Sequence, residues 1–216
     1  AMDDLTVEVG GEKIPVKDLK SIPDLENNLK IWKEIRNGKL KNSSNLTFLT
    51  PQIAEYLSKH PGSLELDSIL SISDDIAEHL SKHQGYLNLD SLIFISDKSA
   101  EHLSKHRGGL YFRALASISD TAAEHLSKLQ GDLNLSGLAS ISDTTAKHLS
   151  NHQGGLGLDS ITSISDTAAE YLSKHKGVLW LHGLSSISDT AARHLSNHPS
   201  LSVSDEIEEK INKYRK

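Results

Sequence analysis

The chain has no cysteine among its 216 residues, so disulfides, thiolate metal sites and cysteine nucleophiles are all excluded. It also lacks any apolar run near the roughly 18 residues that a membrane-spanning helix needs, and membrane insertion is not expected. A basic excess is missing as well. The formal charge is −6, and Lys and Arg are spread among acids. Binding to a phosphate backbone needs a clustered basic face, so no nucleic-acid partner is expected. No signal peptide is evident, and the Ala1-Met2 start leaves room for a removed leader. A cytosolic protein fits, and so does an exported bacterial one. Asn42-Ser43-Ser44 and Asn45-Leu46-Thr47 match the glycosylation sequon, a pattern that often arises by chance. There is no nucleophile elbow, P-loop or H-E-x-x-H motif, and the serines of S-x-x-K are merely repetitive. The chain is therefore expected to be no enzyme and to carry no cofactor.

What is present is one 23-residue unit, built around S-I-S-D-x-x-A-E-H-L-S-K-H-x-G-x-L-x-L. Its aspartate recurs without insertion at Asp74, Asp97, Asp120, Asp143, Asp166 and Asp189. Thr50-Pro51-Gln52-Ile53-Ala54 begins an earlier, divergent copy. A fixed period of this length predicts a solenoid, in which each repeat touches only its neighbours.

Within the unit that starts at Asp97, Ala100, Leu103 and His106 are spaced for one face of a short helix. Gly108 is expected to stop that helix in a left-handed conformation. Leu110 and Phe112 then alternate with Gly109, Tyr111 and Arg113, which is strand periodicity. Leu115 and Ile118 follow as inward anchors, and Ser119-Asp120 opens the next helix. Thr50-Pro51 stands where other copies have Ser-Asp. Proline favours the first helical position, so the preceding Thr or Ser is the expected N-cap, with aspartate in the first turn. Glu55/Lys59, Glu78/Lys82, Glu101/Lys105, Glu124/Lys128 and Glu170/Lys174 are spaced four apart, as on a solvated helix face. One such unit cannot bury enough apolar surface to stand alone, so stacking must complete the core.

The recurring L-x-L-x-x-L-x-x-I-S-D-x-x-A-x-x-L resembles the leucine-rich repeat superfamily. Its cysteine-containing class, with L-x-L-x-x-C-x-x-I-T-D-x-x-L-x-x-L, is the nearest pattern. Leu87, Leu89, Ile95, Ser96, Asp97, Ala100 and Leu103 fit that frame, and the match runs from about Thr50 to Leu195. The resemblance implies an α/β solenoid with parallel strands on a concave face and short helices on the convex face. It also points to short bacterial repeats of this kind. One departure is consistent: the superfamily's Cys or Asn is replaced by Ile69, Leu92, Leu115, Leu138, Ile161 or Leu184. The side-chain ladder that holds those turns is thus missing, and Ser71, Ser117, Ser140, Ser163 and Ser186 are candidates to replace it. Some bacterial relatives carry a cysteine ubiquitin-ligase domain, which this cysteine-free chain does not contain.

The array is expected to occupy residues 46–200, between an N-terminal cap over 1–45 and a C-terminal cap over 201–216. Leu5, Val7 and Val9 alternate, Gly10-Gly11 turns the chain, and Ile14 and Val16 alternate again, as in a hairpin. Leu25, Leu29, Trp32 and Ile35 have helical spacing that ends at Asn37-Gly38. Leu201 and Val203 suggest a last strand, before a helix carrying Ile207, Ile211 and Tyr214 on one face.

Two features bear on function. His79/His83, His102/His106, His148/His152 and His194/His198 are spaced four apart, as in H-x-x-x-H metal sites. Leu129 and the tyrosines Tyr56 and Tyr171 replace members of this pattern elsewhere, which favours packing, and no metal is assigned. The outward strand positions change while the frame stays fixed. Tyr86, Tyr111, Arg113, Trp180 and His182 among them are residue types that anchor interfaces. The expected function is a non-enzymatic module that binds a protein or peptide partner, of unidentified nature, on the concave sheet face. The chain is expected to be a monomer. The alternatives are a histidine-rich metal-binding protein and a structural spacer within a larger protein.

Overall fold

The chain forms an α/β solenoid in the computed structural model, which describes residues 6–9, 12–15, 24–39 and 43–216. Two strands, β1 (Thr6–Val9) and β2 (Glu12–Pro15), pair antiparallel with Val7 opposite Ile14. Leu5, Gly10-Gly11 and Val16, assigned to the same hairpin, lie outside the described residues. Helix α1 (Leu25–Arg36) buries Ile31, Trp32 and Ile35 and is followed by the Asn37 cap and Gly38, whose φ is +75°. Trp32 is fully buried, and its indole N–H donates to the Phe48 carbonyl at 3.3 Å.

Helix and strand then alternate in a strict order. They are α2 (Pro51–Ser58), β3 (Leu64–Glu65), α3 (Asp74–Leu80), β4 (Leu87–Asn88), α4 (Asp97–Leu103) and β5 (Leu110–Tyr111). Next come α5 (Asp120–Leu126), β6 (Leu133–Asn134), α6 (Asp143–Leu149), β7 (Leu156–Gly157), α7 (Asp166–Leu172) and β8 (Leu179–Trp180). The run closes with α8 (Asp189–Leu195), β9 (Leu201–Ser202) and α9 (Asp205–Asn212). Strands β3 to β9 form one parallel sheet in sequence order. Leu64 pairs with Leu87, Leu87 with Leu110, and so on at a constant 23-residue offset. Only the last pairing, Leu179 with Leu201, is one residue shorter.

Helices α3 to α8 each start at the expected aspartate because the preceding serine caps them. Ser119 Oγ accepts from the Ala122 N–H at 2.9 Å, and Thr50 does the same for Ile53 at 3.2 Å, with Pro51 at the first helical position. Ala123, Leu126, Leu133, Leu135 and Leu138 turn inward and are buried, which makes one continuous core with the equivalent residues of other coils. The Glu–Lys pairs at 55/59, 101/105, 124/128 and 170/174 lie between 2.9 and 3.6 Å apart and are solvent-exposed. The Glu78/Lys82 pair is not formed.

The structure corrects three local expectations. Gly108 does not stop its helix in a left-handed conformation. Helix α4 already ends at Leu103 with Ser104 as a right-handed cap, and Ser104 Oγ donates back to the Glu101 carbonyl. Glycine is needed here for another reason. A Cβ on Gly108 would lie 2.0 Å from the Gly85 carbonyl oxygen, and one on Gly131 would lie 2.2 Å from that of Gly108. Successive coils touch backbone to backbone along this line, where no side chain fits.

The second correction concerns the histidines. The early end of the helix places His83, His106, His152, His175 and His198 beyond the C-cap, so the H-x-x-x-H pairs do not share a helical face. These five are buried, whereas His79, His102, His148 and His194 remain half-buried on the helices. The third concerns the turn ladder. Ser71, Ser117, Ser140, Ser163 and Ser186 are exposed and, among the described residues, make no side-chain hydrogen bond. The repeat aspartate supplies a ladder instead, at the helix N-termini. Asp120 Oδ1 accepts from Ser142 Oγ at 2.9 Å and from Thr145 Oγ1 at 2.7 Å in the next coil. Asp74 does the same with Ser96 and Ser99, while Asp97, Asp143 and Asp166 take Ser119, Ser165 and Ser188. From Ser96 to Ser188, each capping serine thus accepts from its own helix and donates to the coil before it. These bonds hold the carboxyls of Asp74 and Asp120 below the usual range.

Candidate functional site: the outer face of the sheet

Side chains alternate along a strand, so the residues between the buried leucines all point to the outer sheet face. Tyr111 projects from β5 between Leu110 and Phe112, and Trp180 from β8 between Leu179 and Leu181. Tyr86 and Tyr111 meet with ring centroids 5.7 Å apart at 59°, a tilted aromatic contact. Burial raises the pKa of the Tyr111 phenol above its ordinary value, and Tyr86 and Asp132 add to the effect. Arg113 approaches Asp90, with Nε 3.7 Å from Oδ2.

The second group lies three strands away. His182 Nδ1 donates to Asp159 Oδ1 at 2.8 Å, and its Nε2 lies 2.9 Å from Ser202 Oγ. The Trp180 ring leans over Gly155, where a Cβ would fall 2.6 Å from Cζ3. Gly109 lies under the Tyr86 ring in the same way, at 2.6 Å. Tyr86, Tyr111 and Arg113 therefore form one cluster, and Trp180 with His182 forms another.

Between the clusters is a hollow of about 260 Å³, lined by Tyr111, Asp132, Leu133, Asn134, Gly157, Asp159 and Trp180. Gly157 keeps its floor open, because its own row otherwise carries Glu65, Asn88, Tyr111, Asn134, Trp180 and Ser202. Asp132 Oδ1 accepts from the Gly155 N–H at 2.8 Å, which fixes that carboxylate at the rim. Asp132, Asn134, Gly157 and Asp159 were not singled out by sequence reasoning. The signal was there in the Gly154-Gly155-Leu156-Gly157 run, which puts two glycines on the sheet face next to a tryptophan in the following coil.

A larger depression, about 490 Å³, lies on the opposite side of the coils beside Leu129. Its polar walls are mostly paired among themselves: Glu124 with Lys128, Asn151 with the Lys147 carbonyl, and Gln153 with the Asn151 carbonyl.

The buried histidines form a separate line. His83 stacks on His106 (5.9 Å, 10°), and His152 on His175 (6.1 Å, 8°), which in turn stacks on His198 (5.7 Å, 20°). Leu129 takes the place between His106 and His152. His106 Nε2 lies 2.8 Å from the Gly85 carbonyl oxygen, and His175 Nε2 2.9 Å from that of Gly154. A carbonyl only accepts, so Nε2 carries the proton in both rings. Burial lowers the pKa of all five, that of His198 to about 4. Among the described residues no three His, Asp or Glu side chains converge as metal ligands would.

No protein-family model matches the chain, and no curated protein matches it. No described helix is long and apolar enough to cross a membrane.

Proposed function

We propose that the chain is a non-enzymatic interaction module of the leucine-rich repeat kind, which binds a protein or peptide partner on the outer, concave face of its sheet. One observation carries the reading. The inward leucines of the strands barely change between coils, while the outward residues change at nearly every coil and gather into two aromatic clusters that flank a hollow. Aromatic and arginine anchors around a depression are what binding surfaces require. The helix face offers no such grouping, since its charges are largely paired within each helix.

The metal-binding alternative fares worse on geometry. A ligand histidine must present an unprotonated nitrogen to open space, and the stacked rings are buried between coils.

The test is a pull-down from the native organism with wild type and the Tyr111→Ala/Trp180→Ala variant. Neither side chain faces the core, so the variant should fold. A partner held by wild type should be weakened by about 2 kcal/mol or more in the variant. Equal retention would move the search to the helix face and the N-terminal segment.

A further inference from the structure

The chemistry of the hollow specifies the occupant more narrowly than an interaction module requires. Its two facing walls, Tyr111 and Trp180, are three strand steps apart, or roughly 14 Å. The glycine floor leaves room between them, and the rim carries two carboxylates, Asp132 and Asp159. The surrounding surface has the same sign. Across all outward positions of the sheet there are five carboxylates, Glu65, Asp67, Asp90, Asp132 and Asp159, against the single guanidinium of Arg113 and no lysine. The chain as a whole balances 29 acids with 23 bases. The sheet face is thus far more acidic than the molecule that carries it.

We propose that the hollow between Tyr111 and Trp180 receives a cationic side chain, arginine in preference to lysine, from a basic segment of the partner. This rests on the reading of the sheet face as the binding surface. A guanidinium can lie flat on an aromatic face and at the same time donate to a carboxylate at its edge. Here both kinds of group border one hollow. Asp132 has one oxygen committed to the Gly155 N–H, which leaves its second oxygen for a ligand. Asp159 is oriented by His182 and lies on the other side of the floor. The rest of the acidic face steers a basic chain toward the hollow and disfavours acidic competitors. A sugar would also stack on the aromatic rings and donate its hydroxyls to the carboxylates, but as a neutral ligand it would gain nothing from the net charge of the face.

The test uses the full chain and a defined probe, a Gly/Ser peptide with spaced arginines, beside its citrulline twin, which is uncharged. Trp180 reports directly, because the only other tryptophan, Trp32, is buried. The arginine peptide should shift the Trp180 indole N–H resonance and leave that of Trp32 in place. Citrulline should weaken binding about tenfold or more. So should Asp132→Asn/Asp159→Asn, which keeps one acceptor oxygen toward Gly155 and His182 and replaces the other with an uncharged amide donor. Binding should also fall as salt rises from 50 to 500 mM. With these probes, three results would overturn the inference: no binding up to about 1 mM peptide, equal binding of the citrulline peptide, or tighter binding of cellohexaose than of the arginine peptide. A native partner lost in Tyr111→Ala/Trp180→Ala but kept at full strength by Asp132→Asn/Asp159→Asn would sink this inference alone. A partner that ignores both variants would sink the sheet-face reading as well.

Discussion

Asp74 and Asp75 stand side by side with the same carboxylate, yet only Asp74 reaches the next coil, where it accepts from Ser96 and Ser99. Asp75 makes no such bond among the described residues. Both are in the first turn of α3, so a pure helix-dipole role would make them equivalent. Asp74→Ala should therefore lower stability by about 1 kcal/mol and Asp75→Ala by less than half of that, read from urea midpoints. Equal losses would mean that the ladder contributes nothing beyond the dipole. The glycines allow a similar comparison. Gly131→Ala would drive a methyl group into the Gly108 carbonyl, so neighbouring coils must separate. Gly157→Ala would meet only side chains, the Asn134 amide at 3.2 Å and Ser136 Oγ at 3.3 Å, which can move aside. The first should cost about 3 kcal/mol and the second under about 1. Similar midpoints for the two would show that the coils are not in backbone contact.

At the scale of one helix, what matters is which face turns inward. In α5, Leu126 is fully buried and Glu124 lies outside, paired with Lys128. Leu126→Ala should cost about 2–5 kcal/mol, and Glu124→Ala under about 0.5. Coincident unfolding curves would mean that the helix is rotated. This much was legible in the sequence, because helix phase and strand alternation are local: α3 to α8 each begin at the aspartate that the repeat marks. The strand leucines likewise lie where period two puts them. What the sequence hid depends on contacts a whole coil away. Gly108 looks like a helix stop until the Gly85 carbonyl stands above it, and the Asp–Ser bond spans 22 residues. The histidine pairs misled for a local reason. Ser104 ends α4 before His106, and spacing by four has no meaning once the helix is over. At the candidate site, the outward aromatic residues could be named from their positions. The hollow could not, because it exists only where Gly157 in one coil lies between larger side chains in its neighbours.

For the molecule as a whole, the stacked imidazoles tie stability to pH. Burial first, and then the charge of His175, lowers the His198 pKa to about 4, and His83, His106, His152 and His175 shift in the same direction. In the unfolded chain these groups titrate near 6.5. Between those two values the unfolded chain binds more protons than the folded one, so stability rises with pH. The contribution is fully present above about pH 6.5 and is lost progressively as pH falls toward the folded values. Unfolding free energy should drop by roughly 2 kcal/mol or more from pH 7 to pH 4.5. Leu129 shows that an aliphatic side chain fits this line. The variant His152→Leu/His175→Leu/His198→Leu should therefore fold and lose much of the slope over that range. An unchanged slope would assign the acid sensitivity to other groups.

The constant 23-residue offset has one more consequence, for distance. Every internal coil meets the next through the same glycine contact and the same strand register, so the array is a ruler marked in equal steps. The gap between Tyr111 and Trp180 is then an integer, three steps, and it can be reset without altering either ring. Excising one whole period between them would bring the two walls one step closer, and duplicating a period would move them one step apart. Spacing on this surface is written in the number of coils, so insertion or loss of whole units is a route by which such a chain would change the distance between outward side chains.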